Sequence, residues 1–227
     1  MKEHNKIEAV VFDMDGLMFD TEAVCRRAHN EAGEKLGIAD ADGLYFKSLG
    51  MTYDNMTRFY AGLFNDEKLA GEFVRQISEI SMYIYENEPL GIKPGLMELV
   101  DYLEENNYTK AIASSAPLYE ISDHLAKCSL TASFRTIISG HELKHGKPAP
   151  DIYLLAADTL KVKPENMLVL EDSVFGIEAA YEAGAIPIMI PDMVQPDDET
   201  RQKAYMVLDS LDEVIRVIHN WYVGVRP

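Results

Sequence analysis

The segment AVVFDMDGLMFDTE, residues 9–22, runs an apolar tetrad into Asp13 and sets a second acid, Asp15, two places later. In extended chain, positions i and i+2 point to one side, so both carboxylates can face one pocket. Like charges that close oppose each other's ionisation unless a cation or a shared proton relieves them. Polar groups of matching chemistry recur further on: Ser114 and Ser115 in KAIASS, Lys147 in HGKPAPD, and Glu171-Asp172 after NMLVL. Four acids, two hydroxyls and one ammonium suit phosphoryl transfer. Mg²⁺ is a hard cation held by carboxylates and completed by water and a phosphate oxygen. One carboxylate can attack phosphorus. Another can protonate the leaving oxygen and later deprotonate water. Hydroxyls, backbone N–H groups and a Lys can stabilise charge on the transferring group.

These residues need elements to gather them. Four short runs, EAVVF (8–12), KAIAS (110–114), NMLVL (166–170) and AIPIMI (185–190), are nearly continuous in apolar character, and YMVL (205–208) is a weaker one. Parallel strands covered on both faces read this way. Helical patterns lie between most of them, in GLMELVDYLEENN, PLYEISDHLAKC, DIYLLAADTL and FGIEAAYEAG. Alternating β and α predicts an α/β fold, a doubly wound parallel sheet with helices on both faces. Ligands of such sheets bind at the carboxyl ends of the strands, where the acids, serines and lysine all fall. Residues 19–88 break the rhythm. TEAVCRRAHNEAGEKLG reads as a helix with Thr21 a possible cap and Gly37 a possible stop, and Leu69, Phe73, Ile77, Ile80 and Ile84 place another over 66–86. The expected organisation is a core of 1–18 and 89–227 with an inserted helical cap over 19–88, to which a lid's role in substrate specificity would fall. Pro89 to Gly95 forms a Pro/Gly-rich return point.

In this order the motifs resemble those of the haloacid dehalogenase superfamily, in its phosphatase and phosphomutase branch with a helical cap after the first motif. FDMDGLMFDTE matches the first motif, Ser114 the second, Lys147 in GKPAPD the third and EDSVFGIEAAYEAG the fourth. The resemblance implies a Rossmann-like core, an aspartyl-phosphate mechanism and Mg²⁺. It makes Asp13 the nucleophile and Asp15 the general acid/base. The metal is then held by Asp13, the Asp15 backbone carbonyl and Asp172, with Glu171 assisting directly or through water. Ser114, Ser115 and Lys147 hold the phosphoryl group. Asp15 separates the chain from the dehalogenases proper, which lack a carboxylate there and use no metal. Within the branch the β-phosphoglucomutase-like and pseudouridine-5'-phosphatase-like group is the nearest in pattern. A hexose phosphomutase of β-phosphoglucomutase type is the alternative. Its cap histidine aligns with Cys25 and its cap arginine near Tyr53, which disfavours it, although His29 and Arg58 could substitute. The expected reaction is hydrolysis of a small phosphomonoester, a sugar phosphate first and a nucleotide-like or pseudouridine phosphate next. Met51, Tyr53, Met56 and Tyr60 are candidate cap contacts, although Met and aromatic residues on such helices more often belong to a core.

Taken singly, each residue has an ordinary structural use. Asp172 or Ser173 can cap the following helix, Ser115 before Ala116-Pro117 can cap another, Lys147 can be a solvated lysine, and Asp20 suits a helix start. Their joint placement at strand ends favours the site. One motif competes. His141-Glu142-Leu143-Lys144-His145 is a literal H-E-x-x-H, the zinc metalloprotease signature when it lies on a helix. Gly140 before it and Gly146, Pro148 and Pro150 after it deny it a long helix.

The bulk numbers bound the partners. Among 227 residues, 38 acids face 21 Lys and Arg, for a formal net charge of −17. With no basic tract, nucleic acid and anionic membranes are not expected partners, and a phosphate must be held by a local site. Cys25 and Cys128 lack metal spacing and fit a reducing cytosol. The start, MKEHNKIEAVVFD, does not read as a signal peptide, and no run has membrane-spanning length. The expectation is a soluble cytoplasmic protein, a monomer or weak homodimer.

Overall fold

The computed structural model describes residues 6–51 and 53–223. Residues 1–5, part of the stretch read as lacking a signal peptide, lie outside them, as do Thr52 and 224–227. The chain forms two compact units, Met1–Asp20 with Gly91–Pro227, and Thr21–Leu90.

The first unit is built on one parallel sheet. Its strands are β1 (Ala9–Phe12), β2 (Thr109–Ser114), β3 (Ile137–Ser139), β4 (Met167–Glu171), β5 (Ile186–Met189) and β6 (Met206–Val207), in the order β3-β2-β1-β4-β5-β6. Between and after them lie α5 (Leu96–Glu105), α6 (Leu118–Lys127), α7 (Asp151–Leu160), α8 (Val174–Glu182), α9 (Asp198–Lys203) and α10 (Glu213–Val223). This is a doubly wound, Rossmann-like α/β fold. All four β1 residues are fully buried, as an apolar strand covered on both faces must be. Burying a valine or phenylalanine side chain is worth about 1.5–3 kcal/mol, which anchors the strand that carries the acid pair. Ala9, Val11, Ala111, Ala113, Met167 and Val169 pack with Ile152, Tyr153 and Ala156 of α7 on one face. The strand β3 is one the apolar runs did not reveal. It is three residues long, at the sheet edge, and pairs with β2 alone, too short for a periodicity to show.

Register does the positioning. Phe12 pairs with Ile112 on one side and Leu170 on the other. Asp13 therefore leaves the sheet level with Ala113 and Glu171, and its N–H still donates to Leu170 O at 3.0 Å. Chain order runs from β1 outward through β2 and β3, then returns to the other side for β4, β5 and β6. The switch point thus lies between β1 and β4, where such sheets hold ligands.

The second unit is helical: α1 (Thr21–Leu36), α2 (Ala41–Ser48), α3 (Tyr53–Phe64) and α4 (Glu67–Asn87). Asp66 caps α4 by accepting from Leu69 N, and Phe73, Ile77, Ile80 and Ile84 face its interior. Ala28, Ala32, Leu44, Met56 and Tyr60 complete that core. Thr21 is the first residue of α1, and Gly37, at φ 67°, lies just past its end. No helix among the described residues is long and apolar enough to cross a membrane.

Candidate active site

At the carboxyl ends of β1, β2 and β4, the predicted residues converge. Lys147, from the segment between β3 and α7, reaches Asp13 Oδ1 at 2.5 Å and Glu171 Oε1 at 2.5 Å. Its side chain is 10% exposed and that of Glu171 is 0%, so Lys147 is not the solvated lysine its type would suggest. Oxygens of Asp13, Glu171 and Asp172 lie within 4.8 Å of one another. Asp15 accepts a long hydrogen bond, 3.4 Å, from Ser114 Oγ, which itself accepts from Ala116 N at 3.0 Å. Ser115 is exposed at the turn that follows. It does not cap α6, whose cap position is Pro117. Ser173 caps α8 by accepting from Gly176 N, leaving Asp172 to the acid cluster.

Both oxygens of Glu171 are engaged. Its Oε1 also accepts from Tyr153 Oη at 2.5 Å, and its Oε2 accepts from Ser173 Oγ at 3.0 Å and Ser173 N at 3.3 Å. Gly176 makes this possible, because a Cβ there would sit 1.8 Å from the Glu171 carboxyl carbon. Gly16, at φ 76°, performs a similar service beside Asp13: its missing Cβ would stand 2.4 Å from Asp172 Oδ2.

Burial raises the Asp13 carboxyl above the ordinary carboxylate range; the Lys147 ammonium opposes this, while Glu171 and Asp15 add to it. Lys147 is held charged by Asp13 and Glu171 against the pull of burial. Tyr153 is held protonated by its burial and the Glu171 charge. One ammonium therefore serves a cluster of acids that needs more positive charge than it has. Hard oxygen donors, close spacing and uncompensated negative charge fit a divalent cation such as Mg²⁺.

Several neighbours carried no signal in the sequence. Tyr153 sits in an apolar helical run, and only the fold aims its hydroxyl at Glu171. Glu120 and His124, one turn apart on α6, bring ligand atoms within 4.8 Å of Asp15. Burial raises the Glu120 carboxyl and lowers His124 to about 4. Lys93 and Asp192 pair at 2.6 Å beside the acid cluster; neither stood out by type or spacing.

The competing zinc motif is not helical. His141–His145 forms turn and bend, His145 Nδ1 lies 3.1 Å from Asp151 Oδ1, and His141, Glu142 and His145 are absent from the metal-capable clusters among the described residues. In the helical unit, Met56 and Tyr60 are buried in its core and Met51 packs partly against it, the commoner use of such residues, whereas Tyr53 is exposed and remains a candidate contact. His29 is buried as well, with Nδ1 donating to Cys25 O at 2.8 Å and its ring packed edge-on to Tyr45, Tyr60 and Phe73. It is a core histidine. Arg58 is exposed and reaches Asn55 at 3.4 Å.

Comparison with known proteins places this geometry. The model of the haloacid dehalogenase-like hydrolase family matches residues 10–190. A phosphorylated carbohydrates phosphatase of Thermotoga maritima is 31% identical over 178 residues, 78% of this chain and 82% of its own. Hexitol phosphatase B of Escherichia coli K12 is 30% identical over 217 residues, 94% of this chain and 97% of its own. Among solved structures, CbbY from Rhodobacter sphaeroides in complex with phosphate superposes with a TM-score of 0.73 at 27% identity, covering 92% of this chain and 96% of that one. A family model spanning the whole acid, serine and lysine constellation, on the sheet that places it, makes the chain a member of the haloacid dehalogenase-like hydrolases.

Proposed function

We propose that the protein is a Mg²⁺-dependent phosphatase of small phosphomonoesters, sugar phosphates first among them. The observation that carries the reading is the meeting of Asp13, Asp172 and Lys147, which are far apart in the chain, at the switch point of the sheet. The Asp13 carboxylate attacks phosphorus, forming an O–P bond as the ester P–O bond breaks. The Asp15 carboxyl gives its proton to the leaving oxygen. Water then attacks the aspartyl phosphate, Asp15 takes the proton back, and phosphate leaves with Asp13 restored. Ser114 and Lys147, with the backbone N–H of Ser115, hold the phosphoryl oxygens. Asp13, the Asp15 carbonyl and Asp172 would hold Mg²⁺, which when bound supplies positive charge to the phosphoryl oxygens. Glu171, with both oxygens already bonded within the protein, anchors Lys147 and would assist in holding the cation, directly or through water.

Sugar phosphates rank first because both relatives named above act, by name, on carbohydrate or hexitol phosphates. The inserted helical unit is assigned the choice of ester. The phosphomutase alternative loses His29, its substitute histidine, to the helical core. The deciding measurement is hydrolysis of an aryl phosphate with Mg²⁺, then with EDTA, then with Mg²⁺ restored. Rates that fall and return support the reading, and an undiminished rate in EDTA overturns it. A panel of phosphate esters, with a mutase assay primed by a sugar bisphosphate, then identifies the substrate class.

A further inference from the structure

Beside the acid cluster lies a carboxylate that is only half used. Asp192 follows β5, and its side chain is 11% exposed. Its Oδ1 accepts from Lys93 Nζ at 2.6 Å. Its Oδ2 is buried and meets no donor among the described residues. A buried carboxylate oxygen left in that state costs free energy unless something donates to it. Its surroundings show where the donor belongs. A Cβ on Gly16 would stand 2.4 Å from Asp172 Oδ2 and 3.3 Å from Asp192 Oδ2. The two oxygens therefore face the same small space above the Gly16 backbone. Yet Asp192 is not among the Asp13, Glu171 and Asp172 oxygens that crowd within 4.8 Å of each other. A carboxylate beside that cluster but not part of it suits contact with a bound cation through water.

We infer that Asp192 is an outer ligand of the cation site. Its Oδ2 accepts a hydrogen bond from a water bound to the divalent ion that Asp13 and Asp172 hold, and its negative charge adds to the field that attracts the ion. This rests on the cation site of the phosphatase reading. Lys93 fixes the carboxylate from the other side. Lys93 N donates to Met18 O and Asp20 N to Gly91 O, both at 2.9 Å, so the segments leaving and re-entering this unit run as an antiparallel pair. Lys93 Nζ also lies 3.6 Å from Asp20 Oδ1. The ammonium that orients Asp192 is thus part of a braced ribbon, and Asp192 is held ready before the ion arrives. Groups that orient a metal's ligands in this way change affinity roughly 10- to 100-fold when lost.

The test is Mg²⁺ binding to the metal-free protein by calorimetry, for wild type, Asp172→Asn and Asp192→Asn. Asp192→Asn keeps the shape and leaves an oxygen for Lys93, but can turn the second oxygen into a donor facing the ion's water. Its Mg²⁺ dissociation constant should rise about 10-fold or more, with the metal-free melting temperature little changed and the rise in melting temperature on adding Mg²⁺ reduced. Asp192→Ser provides the same reading should the asparagine variant not fold. Asp172→Asn separates the two claims. Wild-type Mg²⁺ affinity in Asp172→Asn would remove the cation site itself. Loss of binding there, with Asp192→Asn and Asp192→Ser within twofold of wild type, would overturn the outer-ligand role alone. A lowered metal-free melting temperature with unchanged affinity would make Asp192 a structural brace, and also overturns it.

Discussion

Both units bury polar side chains, and they do so in opposite ways. In the helical unit the hydroxyls of Tyr60 and Ser48 and the imidazole of His29 are buried, neutral and bonded to one another or to backbone. Tyr60 donates to Ser48 Oγ at 2.8 Å, Ser48 to Tyr45 O at 3.0 Å, and His29 to Cys25 O. At the strand ends of the other unit Asp13 and Glu171 are buried together around Lys147, and the acids there outnumber the ammonium groups among the described residues. Neutral pairs cost little to bury and fix a packing arrangement. Clustered carboxylates are costly to bury, and the cost is offset only when a cation or substrate completes the cluster. Burial of the first kind is a matter of stability, and burial of the second kind is what chemistry requires.

The largest expected effect tests that distinction directly. Asp13→Asn removes the nucleophile and one excess charge together. Turnover of an aryl phosphate should fall by at least about three orders of magnitude, while far-UV circular dichroism stays unchanged. A variant retaining a tenth of the activity would show that Asp13 is not the nucleophile.

The same substitution made in both regions sharpens the contrast. Tyr153→Phe strips a donor from buried, charged Glu171, and should cost about 1.5–3 kcal/mol of stability and also lower kcat. Tyr60→Phe breaks a neutral bond and should cost about 0.5–1.5 kcal/mol with kcat unaltered. Denaturant titrations beside steady-state assays give both numbers. Equal effects on kcat would dissolve the comparison.

Histidine burial predicts a pH dependence in the helical unit. Burial lowers the His29 pKa, so the native state resists a proton that the unfolded chain accepts. The stability it confers is whole above the unfolded value of about 6.5 and is lost as pH falls below it, by at most about 1.4 kcal/mol per pH unit. His29→Gln should flatten the slope of thermal stability between pH 6.5 and 5. An unaltered slope would mean that His29 is not its source. The smallest effect is expected at Ser81, whose buried Oγ has no partner among the described residues. Ser81→Ala should stabilise the protein by about 0.5–1 kcal/mol, since the helix gains a better former and loses an unsatisfied hydroxyl. Destabilisation there would reveal a partner for that oxygen.

What was legible in the residues, and what was not, follows from how each kind of information is encoded. The acid pair at 13 and 15, the serine at 114 and the acids at 171 and 172 could be read from local order, because each ends or follows an apolar run and parallel strands share one end, while the lysine at 147 was marked by its GKPAPD motif ahead of a helix. The long helix of 66–86 was equally plain, since a 3.6-residue period over twenty positions leaves a clear trace. Residue types favoured a core for Met56 and Tyr60 without deciding it, and said nothing of the kind for His29, because an apolar or aromatic residue reads alike whether it faces a ligand or its neighbours. Nor could they reveal β3, whose three residues owe their strand form to β2. Tyr153, Lys93 and Asp192 acquire their roles only through contacts spanning 18 and 99 positions. Local sequence determines which strand ends carry charge. Tertiary packing alone decides which of those charges are buried together, because burial, not residue type, sets what a carboxylate must bind.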